Sequence, residues 1–177
     1  MKTLTLLRHA KSGWDDAVAR DFDRPLNTKG RRAAGMIGRH LRQSALEFDR
    51  VYASPAVRVI ETLDEVWDGY GRRREPVWDQ RMYLASAATL LDGIVRLPDA
   101  AARVLLVGHN PGLEDLVLKL ARASAFRDAV AEKYPTASVA ELTFDVDHWS
   151  QVIPGGAVLT RFVRPRDLDP TLGPDTP

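Results

Sequence analysis

Four side chains that could act together on a phosphate-sized anion follow apolar stretches of this sequence. Arg8 and His9 end an apolar run near the amino terminus, and His109 directly follows the apolar run Arg103–Gly108. Arg58 lies in the first turn of a predicted helix, where a cation interacts unfavourably with the helix dipole and needs a nearby anion to compensate. Guanidinium groups bind oxyanions, and a neutral imidazole can be a nucleophile. We therefore predict His9 as a nucleophile and Arg8 as its anion clamp.

Short apolar strands that alternate with helices must bring these residues together. Thr3–Leu7, Phe48–Ala53 and Arg103–Gly108 are predicted as buried strands, because they are short and largely apolar. An amphipathic helix is predicted from Thr28 onwards, and a second one follows Ser54-Pro55, with Ser54 as its N-cap and Pro55 at its first position. Because ligands of an open α/β sheet bind beyond the carboxyl ends of the strands, both imidazoles are expected to face one crevice.

The remaining segments complete an α/β fold. We predict a short third strand at Pro76–Trp78 and a helix capped by Ser86 that runs to Leu97. Two final strands, Ser138–Phe144 and Ala157–Val163, have no convincing helix between them and are expected to run antiparallel at an edge. The expected architecture is a three-layer α/β/α sandwich with a largely parallel central sheet and an antiparallel edge strand. Residues 1–177 are expected to form a single domain, with a loop at 10–27 and a tail from about residue 165 to residue 177.

Composition excludes several classes of function. Lys and Arg number 25 against 24 Asp and Glu, a net charge of +1 that argues against binding nucleic acid or an anionic membrane surface. The absence of cysteine excludes disulfides, thiolate catalysis and cysteine-ligated zinc. No metal-ligand cluster, signal segment or membrane-length apolar stretch is recognisable, so we expect no metal, no membrane association and a cytoplasmic location.

Three motifs resemble those of the histidine phosphatase superfamily. They are Leu7–Ser12 (LRHAKS), Ser54–Thr62 (SPAVRVIET) and Val107–Gly112 (VGHNPG), in the order in which that family carries them. Two further segments, Asp23–Gly30 and Pro165–Leu168, are similar to its short phosphohistidine phosphatase (SixA-like) branch. The resemblance covers nearly the whole chain and implies a phosphoglycerate mutase-like fold.

The resemblance also implies roles for individual residues. His9 would become phosphorylated, while Arg8, Arg58 and a protonated His109 would surround the phosphoryl group without a cofactor. A backbone carbonyl is expected to hold the other ring nitrogen of His9. The predicted substrate-binding residues are Arg8, Arg58, His109, Ser12 and Asn110. The implied activity is metal-independent removal of phosphate from phosphohistidine in proteins, with a histidine phosphotransfer type of domain as the partner.

Two departures from the family pattern concern the proton donor. Ala10 and Asp15 stand where mutase-like members have Gly and Asn. Asp15 is therefore a candidate acid or base, or a carboxylate that faces a cation. Larger relatives use an acid after the third strand, where Asp79 is the only carboxylate and could equally cap a turn or pair with Arg81. A weak acid favours N–P bonds, because imidazole is a far less basic leaving group than an alkoxide.

Two other functions remain open on the residues alone. One is a phosphatase or mutase that acts on small phosphoesters, for which a working general acid is required. The other is a non-catalytic module that binds phosphate or a phosphopeptide, against which the intact His9 argues. A dinucleotide-binding fold is disfavoured, because no glycine-rich fingerprint follows the first strand. The sequence leaves the oligomeric state and the physiological substrate open.

Overall fold

The computed structural model describes residues 1–13 and 20–173, and these residues include a six-stranded sheet. Its strands are β1 (Lys2–Arg8), β2 (Arg50–Ala53), β3 (Val77–Trp78), β4 (Arg103–Gly108), β5 (Val139–Phe144) and β6 (Ala157–Val163). The order across the sheet is β3-β2-β4-β1-β5-β6. The first four strands pair in parallel, whereas β5 is antiparallel to both β1 and β6. The predicted largely parallel sheet with antiparallel pairing at one edge is confirmed.

Helices cover both faces of this sheet. They are α1 (Thr28–Gln43), α2 (Val57–Tyr70), α3 (Ala87–Ile94), α4 (Gly112–Leu120), α5 (Ala125–Glu132) and α6 (Pro165–Leu168). Leu7 and Val107 face a core shared with α1 and α2, whereas Leu6 and Leu106 face a second core shared with α3, α4 and α5. Successive side chains of a strand point to opposite faces, so the apolar runs of β1 and β4 supply both cores. The α/β/α sandwich is confirmed.

The register between β1 and β4 places the two predicted site histidines side by side. Arg8 is aligned with Gly108, so His9 and His109 are the first residues beyond the two paired strand ends. The His9 amide N–H donates to the Gly108 carbonyl over 3.1 Å, which continues the pairing by one step. The crevice that the strand pattern predicts follows directly from this alignment.

The start of α2 differs from its prediction. The helix begins at Val57 with Ala56 as N-cap, and no side chain caps it. Ser54 is therefore not the N-cap and Pro55 is not the first helical residue. The Ser54 hydroxyl does accept a hydrogen bond from the Ala56 amide over 3.3 Å, but it lies two residues too early to cap the helix. Because the Ser54 hydroxyl does not cap the helix, it can lie beside His109.

Two other segments also differ from their predictions. Helix α5 was not expected, and the helix predicted to reach Leu97 ends at Ile94, although Ser86 does cap it. From residue 165 the described chain is not an extended tail, because α6 and a following 3₁₀ turn pack on α1. Leu172 is buried there, and Asp169 forms an ion pair with Arg32. Within the described ranges, no helix is both long enough and apolar enough to cross a membrane.

Candidate active site

His9 is buried, and each of its ring nitrogens has a defined neighbour. Its Nδ1 lies 2.7 Å from the carbonyl oxygen of Ala10, and its Nε2 lies 3.4 Å from the Arg58 Nε. A carbonyl can only accept and a guanidinium can only donate. The network therefore assigns the proton to Nδ1 and leaves a lone pair on Nε2. The expected backbone carbonyl is that of the next residue in the chain.

The surroundings of His9 keep its imidazole neutral. The pKa of His9 is lowered to about 3, mainly by burial. His109, Arg58 and Arg8 also lower this pKa, whereas the hydrogen bond to the Ala10 carbonyl raises it. Desolvation and neighbouring cations both disfavour a protonated ring. At neutral pH the Nε2 lone pair is therefore free to attack an electrophile.

Arg58 connects the groups of the site. Its Nε donates to His9, one terminal nitrogen lies 3.4 Å from the His109 Nδ1, and its side chain is almost fully buried. The same guanidinium donates to the carbonyl and to the carboxylate of Asp21, over 2.8 and 3.0 Å. Asp21 is thus the anion that a cation in the first turn of a helix requires. It lies 37 residues away in the sequence, so no local pattern could identify it.

His109 lies against His9, with 5.3 Å between the ring centroids. Its Nε2 lies 2.8 Å from the Ser54 hydroxyl, while its Nδ1 faces Arg58. Burial lowers the pKa of His109 to about 4, helped by Arg58 and Arg8 and opposed by Asp21. This imidazole is therefore neutral at pH 7, in contrast to the protonated ring that the sequence argument assumed. The main reason is burial of the ring, to which the nearby arginines add.

The side chain of Arg8 is oriented by a backbone carbonyl. One terminal nitrogen donates to the Tyr134 carbonyl over 2.9 Å, and the amide of Asn110 donates to the same oxygen over 3.1 Å. The Asn110 side-chain oxygen in turn accepts from the Glu114 amide in the first turn of α4. Asn110 therefore fixes Arg8 and the start of α4 relative to one another, beside its predicted role in substrate binding.

The other predicted polar residues lie in different surroundings. The Ser12 hydroxyl accepts a hydrogen bond from Arg24, so this pair holds two parts of the loop together. Asp79 caps a 3₁₀ turn and forms a two-pronged ion pair with Arg81, which is the structural alternative foreseen for it. Asp15 lies outside the described residues.

Asp21 and Tyr83 contribute polar groups that sequence reasoning missed. The Asp21 carboxylate accepts from Arg58, from Arg24 and from the Tyr83 hydroxyl. Tyr83 packs edge-on against the His109 ring, with 5.3 Å between the centroids. Desolvation raises the pKa of Asp21, but the hydrogen bonds from Tyr83 and Arg58 outweigh it, so the net pKa is lowered. Asp21 is consequently an ionised carboxylate at the mouth of the site.

Thr62 is a third residue that the sequence argument did not single out, although it closes the second motif. Its hydroxyl accepts from the Ala10 amide over 2.9 Å and donates to the Arg58 carbonyl over 2.6 Å. The side chain is fully buried. One hydroxyl thus connects the peptide that orients His9 with the helical turn that carries Arg58. The four-residue spacing from Arg58 to Thr62 was the available signal.

The sequence of the chain matches a known protein family. A model of the histidine phosphatase superfamily (branch 1) matches residues 4–140. The chain belongs to this superfamily. A Mycobacterium tuberculosis protein, Rv1276c, is 37% identical over 164 residues, which are 90% of this chain and 100% of that protein.

Solved structures of SixA proteins are similar over almost the full length of the chain. SixA of Nakamurella multipartitia has a TM-score of 0.81 and 28% identity, and the match covers 93% of this chain and 96% of that one. SixA of Agrobacterium tumefaciens has a TM-score of 0.78 and 27% identity, over 92% and 97%. The chain therefore belongs to the SixA-like branch, and this membership supports phosphatase activity.

Proposed function

We propose that this protein is a metal-independent phosphatase that forms a phosphohistidine intermediate on His9 and acts on phosphohistidine in proteins. The observation that carries the proposal is the unprotonated Nε2 of His9 beside Arg58, with its tautomer held by the Ala10 carbonyl. A neutral, oriented imidazole is what nucleophilic attack on phosphorus requires. The names of the two SixA relatives refer to phosphohistidine phosphatase activity, which supports the same reaction.

In the proposed reaction, the Nε2 of His9 attacks the phosphorus atom of the substrate. A P–N bond to His9 forms as the P–N bond to the substrate imidazole breaks. The substrate ring, already protonated on its other nitrogen, takes the bonding electron pair and leaves as neutral imidazole. Water then attacks the phosphorus of phosphorylated His9, which releases inorganic phosphate and restores the neutral ring. Arg8 and Arg58 offset the charge on the three equatorial oxygens, which is the main demand of phosphoryl transfer.

His109 would change its protonation state when a phosphoryl group binds. Burial and two arginines hold its pKa at about 4. A phosphoryl dianion beside the ring would offset the charge of those arginines and raise the pKa towards its ordinary value. His109 would then be able to donate a hydrogen bond or a proton to the phosphoryl oxygens or the leaving group.

The proton donors of the described site favour an N–P substrate. Asp21 is the carboxylate that contacts Arg58, but its lowered pKa makes it a poor acid. Asp79 is held by Arg81. An alkoxide leaving group needs a strong proton donor. A phosphorylated imidazole that is already protonated on its other nitrogen does not, because it leaves as neutral imidazole, whose conjugate acid has a pKa near 6.5. Asp15 remains a proposed acid or base whose contribution would widen the range of substrates.

A substrate panel tests the proposal. Turnover of a phosphohistidine protein, phosphoramidate, an aryl phosphate and sugar phosphates would be compared with and without a chelator. We expect turnover to persist with chelator and the phosphohistidine protein to be the preferred substrate. A preference for sugar phosphates would contradict the substrate assignment and favour a small-phosphoester enzyme, and binding without any turnover would favour a phosphopeptide-binding module.

The nucleophile is tested by His9→Ala, with His148→Ala as a matched control because that histidine is exposed. His9→Ala should abolish both turnover and the phosphorylated enzyme trapped by rapid quenching, while His148→Ala should retain both. Chelator-resistant activity in His9→Ala would rule out the proposed intermediate.

A further inference from the structure

A cavity beside the candidate site is lined in part by Arg8, but neither His9 nor His109 lines it. Its volume is about 410 Å³. Six cationic side chains line it: Arg8, Lys11, Lys29, Lys133, Arg164 and Arg166. Of the described residues in its walls, none is Asp or Glu. Arg8 is thus shared between this cavity and the proposed catalytic site.

The composition of the chain does not account for this concentration of positive charge. The protein has almost equal numbers of basic and acidic residues, 25 and 24. The cations also come from separate parts of the fold, namely the end of β1 and the loop after it, α1, the segment after α5, and the chain around α6. Like charges that converge on one concave surface repel one another, and they create a local potential that attracts anions.

Several of these cations are held in position by backbone carbonyls or by an acidic side chain. The Lys29 Nζ donates to the Gly173 carbonyl over 2.7 Å, and Arg164 forms two hydrogen bonds with Asp167, of 2.8 and 3.0 Å. Arg8 is held by the Tyr134 carbonyl. A site whose donors are already oriented loses less conformational entropy when an anion binds.

The carboxyl-terminal segment forms one wall of the cavity. Arg166 lies in α6, and Leu172 lies in the 3₁₀ turn that packs on α1. This segment, which the sequence suggested to be a tail, therefore contributes part of the cavity lining. Ala33 of α1 adds to the apolar part of the lining.

We propose that this cavity is a second anion subsite, which binds an oxyanion of the substrate other than the phosphoryl group that is transferred. The inference rests on the proposed function, because that function places the transferred phosphoryl group at His9, which does not line this cavity. The subsite would bind an oxyanion of the substrate that neighbours the phosphoryl group to be transferred. Its source is either the distal phosphoryl group of a diphosphate or the carboxylate of an acidic residue next to a phosphorylated histidine.

Calorimetric binding of inorganic pyrophosphate and orthophosphate tests the subsite directly. The variant Lys133→Gln/Arg166→Gln removes two cavity cations that lie outside the proposed catalytic machinery. The variant Arg73→Gln/Arg96→Gln removes the same charge from exposed positions outside the cavity and is the control. Wild type should bind pyrophosphate more tightly than orthophosphate. The cavity variant should weaken pyrophosphate about tenfold, since two charged contacts of modest strength are lost, and change orthophosphate less than about twofold.

A second pair of probes distinguishes the source of the anion. An aspartate-rich peptide and its asparagine counterpart would be titrated into the same three proteins. If the aspartate peptide binds more tightly than the asparagine peptide to wild type but not to the cavity variant, the subsite is assigned to acidic side chains. If only pyrophosphate shows such a cavity-dependent gain in affinity, the subsite is assigned to a second phosphoryl group. The single variant Lys133→Gln, at an exposed position, replaces the double variant if circular dichroism shows that the latter is unfolded.

The subsite is refuted if neither ligand pair distinguishes wild type from the cavity variant, or if the control variant weakens binding equally. Equal weakening would show that only the overall charge of the protein matters. These experiments measure binding alone, so they remain decisive for a protein that fails to hydrolyse phosphohistidine. Failure of the proposed function is therefore distinguishable from failure of the subsite.

Discussion

Replacement of Thr62 by valine should impair the site without touching any group that reacts. The Thr62 hydroxyl accepts from the Ala10 amide and donates to the Arg58 carbonyl, and valine has the same shape without the hydroxyl. The Ala10 peptide is also the one whose carbonyl holds the Nδ1 of His9. Thr62→Val therefore removes the support of the peptide that orients the proposed nucleophile.

The size of the effect follows from what is left unpaired. The Ala10 amide would remain buried without an acceptor, at a cost of about 1–3 kcal/mol. The Arg58 carbonyl would lose only an additional donor, because it lies within a helix. We therefore expect the free energy of unfolding to fall by about 2 kcal/mol, a substantial part of the roughly 5–15 kcal/mol typical of a domain. A small displacement of His9 should lower kcat by about 10- to 100-fold with little change in KM.

Urea unfolding and steady-state hydrolysis of an aryl phosphate would measure both quantities. Thr62→Ser keeps the hydroxyl and loses only a methyl group, so it should restore most of kcat. The pH dependence of kcat separates positioning from simple instability, because a displaced His9 would titrate closer to its ordinary pKa. The reasoning is refuted if Thr62→Val keeps a kcat within about twofold of wild type, or if Thr62→Ser loses as much activity as Thr62→Val.

Two further predictions concern charge in the site. Asp21→Asn removes a carboxylate that competes with phosphate for Arg58. Two unit charges about 4 Å apart interact by about 1–4 kcal/mol near a protein surface, so the inhibition constant of orthophosphate should fall about tenfold. Weaker inhibition in that variant would show instead that Asp21 mainly positions Arg58. The pKa values of His9 and His109 are about 3 and 4 in the folded protein and near 6.5 in the unfolded chain. Between pH 6.5 and pH 4 the unfolded chain therefore binds more protons than the folded protein. The free energy of unfolding must consequently fall as the pH falls through this range. Each histidine should contribute about 1.4 kcal/mol per pH unit over that window, so His9→Gln should reduce the slope of unfolding free energy against pH by that amount; an unchanged slope would contradict the burial argument.

Strand patterning was sufficient to predict that the residues of the candidate site lie together. Arg8 and His9 end one apolar strand and His109 follows another, and the parallel register that joins β1 to β4 brings them together. The local pattern of strands thus predicted that His9 and His109 lie close together, although they are far apart in the sequence. The reason is that the carboxyl ends of neighbouring parallel strands lie at the same edge of a sheet. Arg58 could be added because a cation in the first turn of a helix needs an anion.

The identity of that anion was decided only by the tertiary structure. Asp21 was one of several aspartates in a stretch without periodicity, and nothing in its neighbourhood distinguishes it from Asp23. It becomes special because its segment returns over the strand ends and meets Arg58 and Tyr83, which lie 37 and 62 residues further along the chain. The protonation state of His109 has the same origin, since it depends on burial of the ring and on two arginines that only the fold brings near.

Local periodicity reports which face of an element is buried, and it therefore determined the strands, most of the helices and the position of His9 in this protein. Hydrogen bonds between distant polar side chains have no period, so the sequence contained no sign that Thr62 supports Ala10 or that Ser54 faces His109. The same reason explains the segment after residue 165, whose composition suggested a tail. Its packing on α1 depends on contacts such as Arg32 with Asp169, 137 residues apart, which only the folded chain creates.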